Sequence, residues 1–177
     1  DKKIGFSYLK SYYGKAKFKS TQYLLKLNSQ KFFPCTILRF FLVYGPGQSE
    51  KRLIPFVVKN SLMNNNFISS SGNQLRDFLY IDDAIDAIMK CLKNKESNGH
   101  IINICSGSPV KIKFIINKIC KKIKKGQPIF GKISLRPDEP LKLYSNYQKA
   151  KKFLRWKPKT KLSEGLNKTI KFYEKRI

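Results

Sequence analysis

Apolar residues recur along the chain in two patterns, continuous runs and helical spacing. Residues 35–44 (CTILRFFLVY) form a nearly unbroken apolar run before a Gly-Pro-Gly turn, and residues 101–105 (IINIC) form a second run. Runs of this kind predict strands that are buried on both faces, as in parallel sheets. Residues 78–81 (FLYI) predict a further short strand.

Apolar residues at helical spacing predict helices in the segments around these strands. We expect helices over 13–28, 53–64, 112–123 and 162–173, and another that Ser145 caps and that ends at Leu154. Asp82 and Asp83 open one more helix, where acidic residues suit the N-terminus. The inner stripe of the first helix is predicted as Ala16, Ser20, Leu24 and Leu27. Helices that alternate with buried strands predict an α/β fold with a largely parallel sheet.

Composition narrows the class of protein. With 177 residues and 41% hydrophobic content, the chain can bury one core, and we treat residues 1–177 as a single α/β segment. The chain starts at Asp1 and has no apolar run long enough to span a membrane, so we expect a cytoplasmic protein without a membrane partner. Four cysteines without a C-x-x-C pair, and one histidine, predict reduced, buried thiols and no metal site.

The formal net charge of +26 predicts attraction to polyanions at low salt. Only 6 of the 37 basic residues are arginines, the residue type that suits bidentate phosphate and base contacts. The lysines are also spread along the chain rather than clustered. We therefore predict no nucleic-acid partner, and a basic binding module remains an alternative function.

The first candidate for chemistry is Tyr13 with Lys17, four residues apart at the start of a predicted helix. Residues at this spacing share a helix face, and a nearby ammonium favours phenolate over phenol. Such a tyrosine can exchange a proton with a sugar hydroxyl. The spacing alone is weak evidence because Tyr147 and Lys151 share it. We interpret that second pair as a surface coincidence.

An ordered series of motifs decides between the two pairs. After Tyr13 and Lys17 come LRFFLVYGPGQ (38–48), GNQLRDFLYIDD (72–83), NICSG (103–107), RPDEP (136–140) and AKKFLRWKP (150–158). In this order they resemble the extended short-chain dehydrogenase/reductase family, specifically its NAD-dependent nucleotide-sugar epimerases and dehydratases. The resemblance implies the C-terminal part of a Rossmann-like parallel-sheet domain. It also implies a small substrate-binding lobe, mainly residues 50–75 and 108–160.

The family's glycine-rich turn precedes its catalytic tyrosine, and this sequence contains no such motif. The resemblance therefore implies that the N-terminal dinucleotide-binding half is missing, together with a catalytic Ser or Thr upstream of the tyrosine. It further implies that NAD, or NADP, is the cofactor and that a nucleotide-diphosphate sugar is the substrate. A homodimer formed through the helix that carries Tyr13 and Lys17 is expected from the same family.

The resemblance also implies roles for individual positions. Tyr13 would be the catalytic acid/base, Lys17 would hold the nicotinamide ribose, and the cofactor would lie near the turn Tyr44-Gly45-Pro46. Six substrate-binding residues are implied: Arg76 and Arg136 for the diphosphate, Glu139 for a hydroxyl, Lys51 and Leu53 for the nucleotide, and Leu42 where many relatives carry Asn.

Several alternatives stay open at the level of sequence. A nucleotide-4-keto-sugar reductase of the same family, a non-catalytic basic module and an inactive fragment each fit the motifs. Arg76 could instead pair with Asp77, Asp82 or Asp83. The two aspartates at 82 and 83 are interpreted as a structural cap, and Trp156 is interpreted as a core residue.

Overall fold

The computed structural model describes residues 11–177. The helices are α1 (Tyr12–Ser29), α2 (Leu53–Leu62), α3 (Ile81–Leu92), α4 (Ile112–Ile123), α5 (Gln148–Leu154) and α6 (Leu162–Glu174). The strands are β1 (Ile37–Phe40), β2 (Leu42–Tyr44), β3 (Asn66–Ile68), β4 (Leu75–Arg76), β5 (Phe78–Tyr80), β6 (Ile101–Ile104), β7 (Val110–Lys111), β8 (Gln127–Ile129) and β9 (Lys142–Leu143). The order of helices and strands confirms the predicted α/β class.

Most strand pairs are parallel. Strand β1 pairs with β6, β2 with β5, and β3 with β8, whereas β4 pairs antiparallel with β7 and parallel with β9. The predicted strand over 35–44 is divided at Phe41. The Phe41 N–H donates to Ile104 O (3.1 Å), but the next N–H, of Leu42, donates to Asp77 O (3.1 Å). The chain therefore changes strand partner within one extended segment.

Burial of this segment differs from the prediction. Ile102 and Ile104 of β6 are fully buried, but Arg39 and Phe40 of β1 are exposed, Phe40 by 38%. Among the strands of residues 11–177, β1 is paired along one edge only. The prediction that this strand is buried on both faces is therefore wrong for β1.

Helix α1 forms over the predicted range, and the Ser11 side chain caps it by accepting a hydrogen bond from Gly14 N–H (3.1 Å). The predicted inner stripe is not confirmed. Ala16 and Ser20 are exposed, and the one buried side chain in the helix is that of Thr21. A contact near the C-terminal end joins the helix to the segment that leads into β1: the Cys35 N–H donates to Asn28 Oδ1 (3.2 Å).

Two apolar clusters make up the core. The first fills the space among α2, α4, α6, β2 and β5, and its fully buried members include Val57, Ile116 and Leu166. The second surrounds Trp156, which is fully buried, as predicted, and donates from Nε1 to Asp83 O (3.0 Å). Helix α3 packs Ala84 and Ala87 into this second cluster.

Two sequence predictions about helix starts need correction. Asp83 lies in the first turn of α3, but its carboxylate accepts the N–H groups of Lys159 (3.1 Å) and Thr160 (2.9 Å) and does not cap the helix. Ser145 does not cap α5, which starts at Gln148; its hydroxyl accepts a hydrogen bond from the side chain of Asn103 (2.8 Å). In both cases a contact distant in sequence uses the polar side chain.

None of the helices within residues 11–177 combines the length and apolar character that crossing a bilayer requires. The described part of the chain also contains no cluster of three or more His, Cys, Asp or Glu residues suited to a metal ion. All four cysteines are free thiols; Cys105 is buried and the other three are partly buried.

Candidate functional site

One cavity of about 480 Å³ brings the implied substrate residues together. It lies against α2 and α4 and is bounded by the segment that leads to β9. Its lining includes all six positions that the resemblance assigns to substrate: Leu42, Lys51, Leu53, Arg76, Arg136 and Glu139. These positions span 98 residues of sequence, so the fold, rather than local sequence, assembles the site.

The four charged residues reach the cavity from three separate segments. Lys51 precedes α2, Arg76 ends strand β4, and Arg136 and Glu139 belong to the segment between β8 and β9. The Glu139 N–H donates to Arg136 O (2.9 Å), which closes this segment into a tight turn. Arg76 is only 5% exposed, whereas the side chain of Arg136 is 80% exposed. The cavity thus has one buried and one solvent-facing guanidinium.

The Glu139 carboxylate joins the two arginines. It accepts hydrogen bonds from Arg136 Nη2 (2.7 Å) and Nε (3.3 Å), and its other oxygen accepts from Arg76 Nη2. The hydrogen bonds from Arg136, followed by those from Arg76, lower the pKa of Glu139 below its ordinary value. The other Arg76 amino group, Nη1, donates to Leu75 O (2.9 Å). Glu139 is therefore ionised and held by both cations at neutral pH.

Arg76 does not pair with the aspartates considered from sequence. The Asp77 carboxylate instead accepts the N–H groups of Ser106 (2.6 Å) and Gly107 (2.8 Å). Asp77 is fully buried, so these hydrogen bonds compensate for its loss of water. The alternative partners proposed for Arg76 are therefore wrong, and its ion pair is with Glu139.

The rest of the cavity wall is mostly apolar and was missed in the sequence. Phe56 and Phe67 meet edge to face, with ring centroids 5.8 Å apart. Ile68 and Ile133 are half exposed at this cavity. The sequence did carry one indication that Ile133 lies at this cavity, because residues 133–135 immediately precede Arg136. No periodicity marks the 67–70 segment, whose strand is three residues long.

A second cavity, of about 490 Å³, adjoins the first and shares Leu42, Lys51 and Leu53 with it. Tyr44 also lines it, but the Tyr44 side chain is 2% exposed and its hydroxyl donates to Leu162 O (3.4 Å). Burial, with the nearby Tyr80 phenol, raises the pKa of Tyr44 above its ordinary value. The phenol of Tyr44 therefore serves packing and stays protonated.

The turn after Tyr44 has similarly little room. A methyl group on Gly45 would overlap the side chain of Ile81, so the hydrogen of glycine permits close packing there. Pro46 is exposed. Contact between this turn and a cofactor stays a prediction, and it would involve Pro46 or backbone atoms.

Tyr13 and Lys17 lie side by side on α1, with Lys17 Nζ 5.6 Å from the centroid of the Tyr13 ring. Tyr13 is 74% exposed, and neither residue lines the two cavities described above. An exposed phenol beside an ammonium on one helix face is accessible to a ligand, and the role of this pair in binding the nicotinamide ribose stays a prediction. The structure therefore pairs these two residues but leaves them outside the cavity that holds the other six.

Comparison with known proteins identifies the family. Residues 2–105 match the family model described as "NAD dependent epimerase/dehydratase family". The chain belongs to the NAD-dependent epimerase/dehydratase family. It is 31% identical to Protein CapI of Staphylococcus aureus over 164 residues, which cover 79% of this chain and 47% of that protein. It is also 31% identical to the dTDP-D-glucose 4,6-dehydratase of Mus musculus over 154 residues, 82% of this chain and 42% of that enzyme.

The fold is that of solved members of the epimerase/dehydratase family. UDP-glucuronic acid 4-epimerase from Bacillus cereus, solved in complex with UDP-glucuronic acid and NAD, superposes with a TM-score of 0.83 at 30% identity. The match covers 93% of this chain and 53% of that structure. The chain therefore spans about half the length of the relatives it matches.

Proposed function

We propose that the full protein is an NAD(P)-dependent nucleotide-sugar epimerase or 4,6-dehydratase that oxidises its hexose at C4. The observation that carries this proposal is the meeting of Leu42, Lys51, Leu53, Arg76, Arg136 and Glu139 around one cavity. Those six positions were assigned to substrate from motifs alone, and scattered surface residues would not meet in this way. Family membership and the nucleotide-sugar relatives support the same reaction class.

The cavity's chemistry matches the two parts of a nucleotide diphosphate. Arg76 and Arg136 offer planar guanidinium groups, which suit phosphate oxygens better than an ammonium does. The aromatic pair Phe56 and Phe67 belongs to an apolar wall that can bury a base or a sugar face. We assign the diphosphate to the arginines and the nucleoside to the apolar wall.

In the proposed reaction Tyr13 Oη, as the phenolate, accepts the proton of the sugar hydroxyl, and the Lys17 ammonium stabilises that phenolate before the transfer. Bound NAD supplies the accompanying two-electron oxidation. Tyr13 and Lys17 would also hold the nicotinamide ribose, with Pro46 nearby. These steps require the α1 face to meet the sugar end of the cavity, and a homodimer through α1 is part of the proposal.

Replacement of Arg76 by Ala tests the diphosphate assignment. We expect the dissociation constant for UDP-glucose, measured by calorimetry, to rise at least about tenfold, because a charge-assisted contact is lost. Arg39→Ala is the matched control, since Arg39 is an exposed arginine on β1 and does not line either cavity. Equal affinity in Arg76→Ala and Arg39→Ala would contradict the assignment.

The same measurement separates the alternative of a basic binding module, which the net charge of +26 favours. That alternative predicts retention on DNA at physiological ionic strength and no affinity for UDP-glucose. A nucleotide-4-keto-sugar reductase, by contrast, would bind nucleotide sugars in the same cavity. Product analysis of the full protein with NAD(H) distinguishes the reductase, because only a reductase consumes NADH stoichiometrically.

A further inference from the structure

The two arginines of the cavity share one carboxylate before any ligand arrives. Arg76 is buried, and a buried guanidinium without a counter-charge is strongly disfavoured. Glu139 supplies that counter-charge, since its carboxylate bonds both Arg76 and Arg136. The neighbouring carboxylate, of Asp77, is held by the N–H groups of Ser106 and Gly107. Glu139 thus occupies the anion-binding face of the two arginines.

Glu139 is also the one acidic residue among those that line this cavity in the described part of the chain. Three cations line the same cavity: Lys51, Arg76 and Arg136. A carboxylate tethered beside two guanidiniums competes with any incoming anion at a high effective concentration. An anion that makes no other contact with the site, such as pyrophosphate, must either displace the Glu139 carboxylate from the arginines or bind beside it against charge repulsion.

Resting on the proposed function, we propose that Glu139 is a specificity-determining residue that excludes free phosphate and pyrophosphate from the diphosphate site. A nucleotide-linked diphosphate overcomes the same competition because its nucleoside buries surface against the apolar wall that contains Phe67 and Ile133. Specificity here comes from an element that opposes the wrong ligand as well as from contacts with the right one. Because of Glu139, tight binding therefore requires both the diphosphate and the nucleoside attached to it.

The test compares two ligands, inorganic pyrophosphate and UDP, with the wild-type chain, Glu139→Gln and Asp138→Asn. Asp138→Asn removes the same charge from the neighbouring position of the same segment, where the side chain is exposed and, among residues 11–177, forms no ion pair with either arginine. It therefore controls for net charge. Dissociation constants are measured by calorimetry at one fixed ionic strength and pH.

We expect Glu139→Gln to bind pyrophosphate about tenfold tighter than wild type, the effect of releasing one charge-assisted pair. The affinity for UDP should change less, so the preference for UDP over pyrophosphate should fall. Asp138→Asn should keep the wild-type preference. An unchanged preference in Glu139→Gln, or an equal change in both variants, overturns the inference.

Two further results separate this inference from the proposed function. Tighter pyrophosphate binding in Glu139→Gln, with no UDP binding by any of the three chains, supports the role of Glu139 and contradicts the nucleotide-sugar proposal. If the chains bind UDP but Glu139→Gln binds pyrophosphate no more tightly than wild type, the nucleotide-sugar proposal is supported and the role of Glu139 is contradicted. If Glu139→Gln does not fold, Glu139→Asp retains the charge but retracts it by one methylene. Its pyrophosphate affinity must then exceed that of wild type, or the inference fails.

Discussion

The two apolar clusters differ in how completely the described chain encloses them. The first cluster is covered by α2, α4 and α6, and several of its members line the cavity that contains Arg76 and Glu139. Beside the second cluster, α3 buries Ala84 and Ala87 but leaves Ile85, Ile88, Met89 and Leu92 exposed by 41–76%. These four positions follow helical spacing and form one face. This apolar face of α3 is therefore only partly covered by the described residues.

The difference separates ligand binding from chemistry. Under the proposed function, nucleotide-sugar binding should depend mainly on α2 and α4, whose inner faces are buried within residues 11–177. The pair Tyr13 and Lys17 stands on α1, whose single buried side chain is Thr21. Correct placement of α1 therefore depends on little packing within the described residues. Catalysis should be more sensitive than binding to whatever contacts α1 in the full protein.

The largest expected effect is a difference in stability between matched substitutions near the two clusters. Ile116→Ala, at a fully buried position on α4, should lower the free energy of unfolding by about 2–5 kcal/mol because it leaves a cavity. Ile88→Ala makes the same chemical change on the exposed face of α3 and should cost about 0.5 kcal/mol. Urea unfolding followed by circular dichroism measures both. Similar losses would mean that α3 is covered in solution.

A second experiment tests how tightly the first cluster is packed. A methyl group on Gly165 of α6 would overlap the Tyr44 hydroxyl and come within 2.8 Å of Tyr80 Cδ2. Gly165→Ala should therefore lower the free energy of unfolding by about 1–3 kcal/mol, although alanine favours helices. Tyr44→Phe removes the overlapping oxygen and should recover part of the loss in the double variant. A gain in stability from Gly165→Ala alone would contradict this packing.

The charged cavity predicts a dependence of stability on pH. The pKa of Glu139 in the folded chain lies below its ordinary value of 4.5, because Arg136 and Arg76 stabilise the carboxylate. This stabilisation is present above the unfolded-state pKa and is lost as the pH falls through the folded-state pKa. The melting temperature should therefore decrease as the pH drops below about 4.5. This decrease should be smaller for Glu139→Gln than for the wild-type chain. Equal pH profiles for both chains would contradict the ion cluster.

The smallest expected effect concerns α1. Ser11→Ala removes the side chain that caps the helix and should destabilise α1 by about 0.5–1 kcal/mol. Because α1 packs loosely, hydrogen exchange should accelerate in its first turns while the amides of α4 keep their protection. Ser11→Asp, which restores a capping acceptor, is the matched control. Faster exchange in α4 as well would show that the two regions unfold together.

The sequence allowed prediction of elements with a long periodic signal. Helix α4 has the predicted bounds of 112–123, because four buried isoleucines repeat at helical spacing on a polar background. Strands β4, β7 and β9 contain two residues each, too few for any periodicity, and tertiary pairing alone defines them. The stripe of α1 was mispredicted for a related reason: helical spacing shows which side could be buried, not whether a partner covers it.

The site shows the same division. Motif order placed Arg76, Arg136 and Glu139 among the substrate residues, and the fold brings them together. It did not predict that Glu139 would bond both arginines, since a 63-residue separation from Arg76 carries no local signal. The apolar wall around Phe67 was missed because single aromatic residues in short strands resemble ordinary core.

The change of partner at Phe41 has a consequence for how this domain can be cut or lengthened. Because β1 registers against β6 and β2 registers against β5, one extended segment fixes the alignment of two strand pairs. An inserted residue at Phe41 would shift one alignment relative to the other and turn Leu42 away from the cavity edge. Split-protein reporters and circular permutants should therefore tolerate new termini in the exposed segment 30–34 far better than between residues 40 and 42.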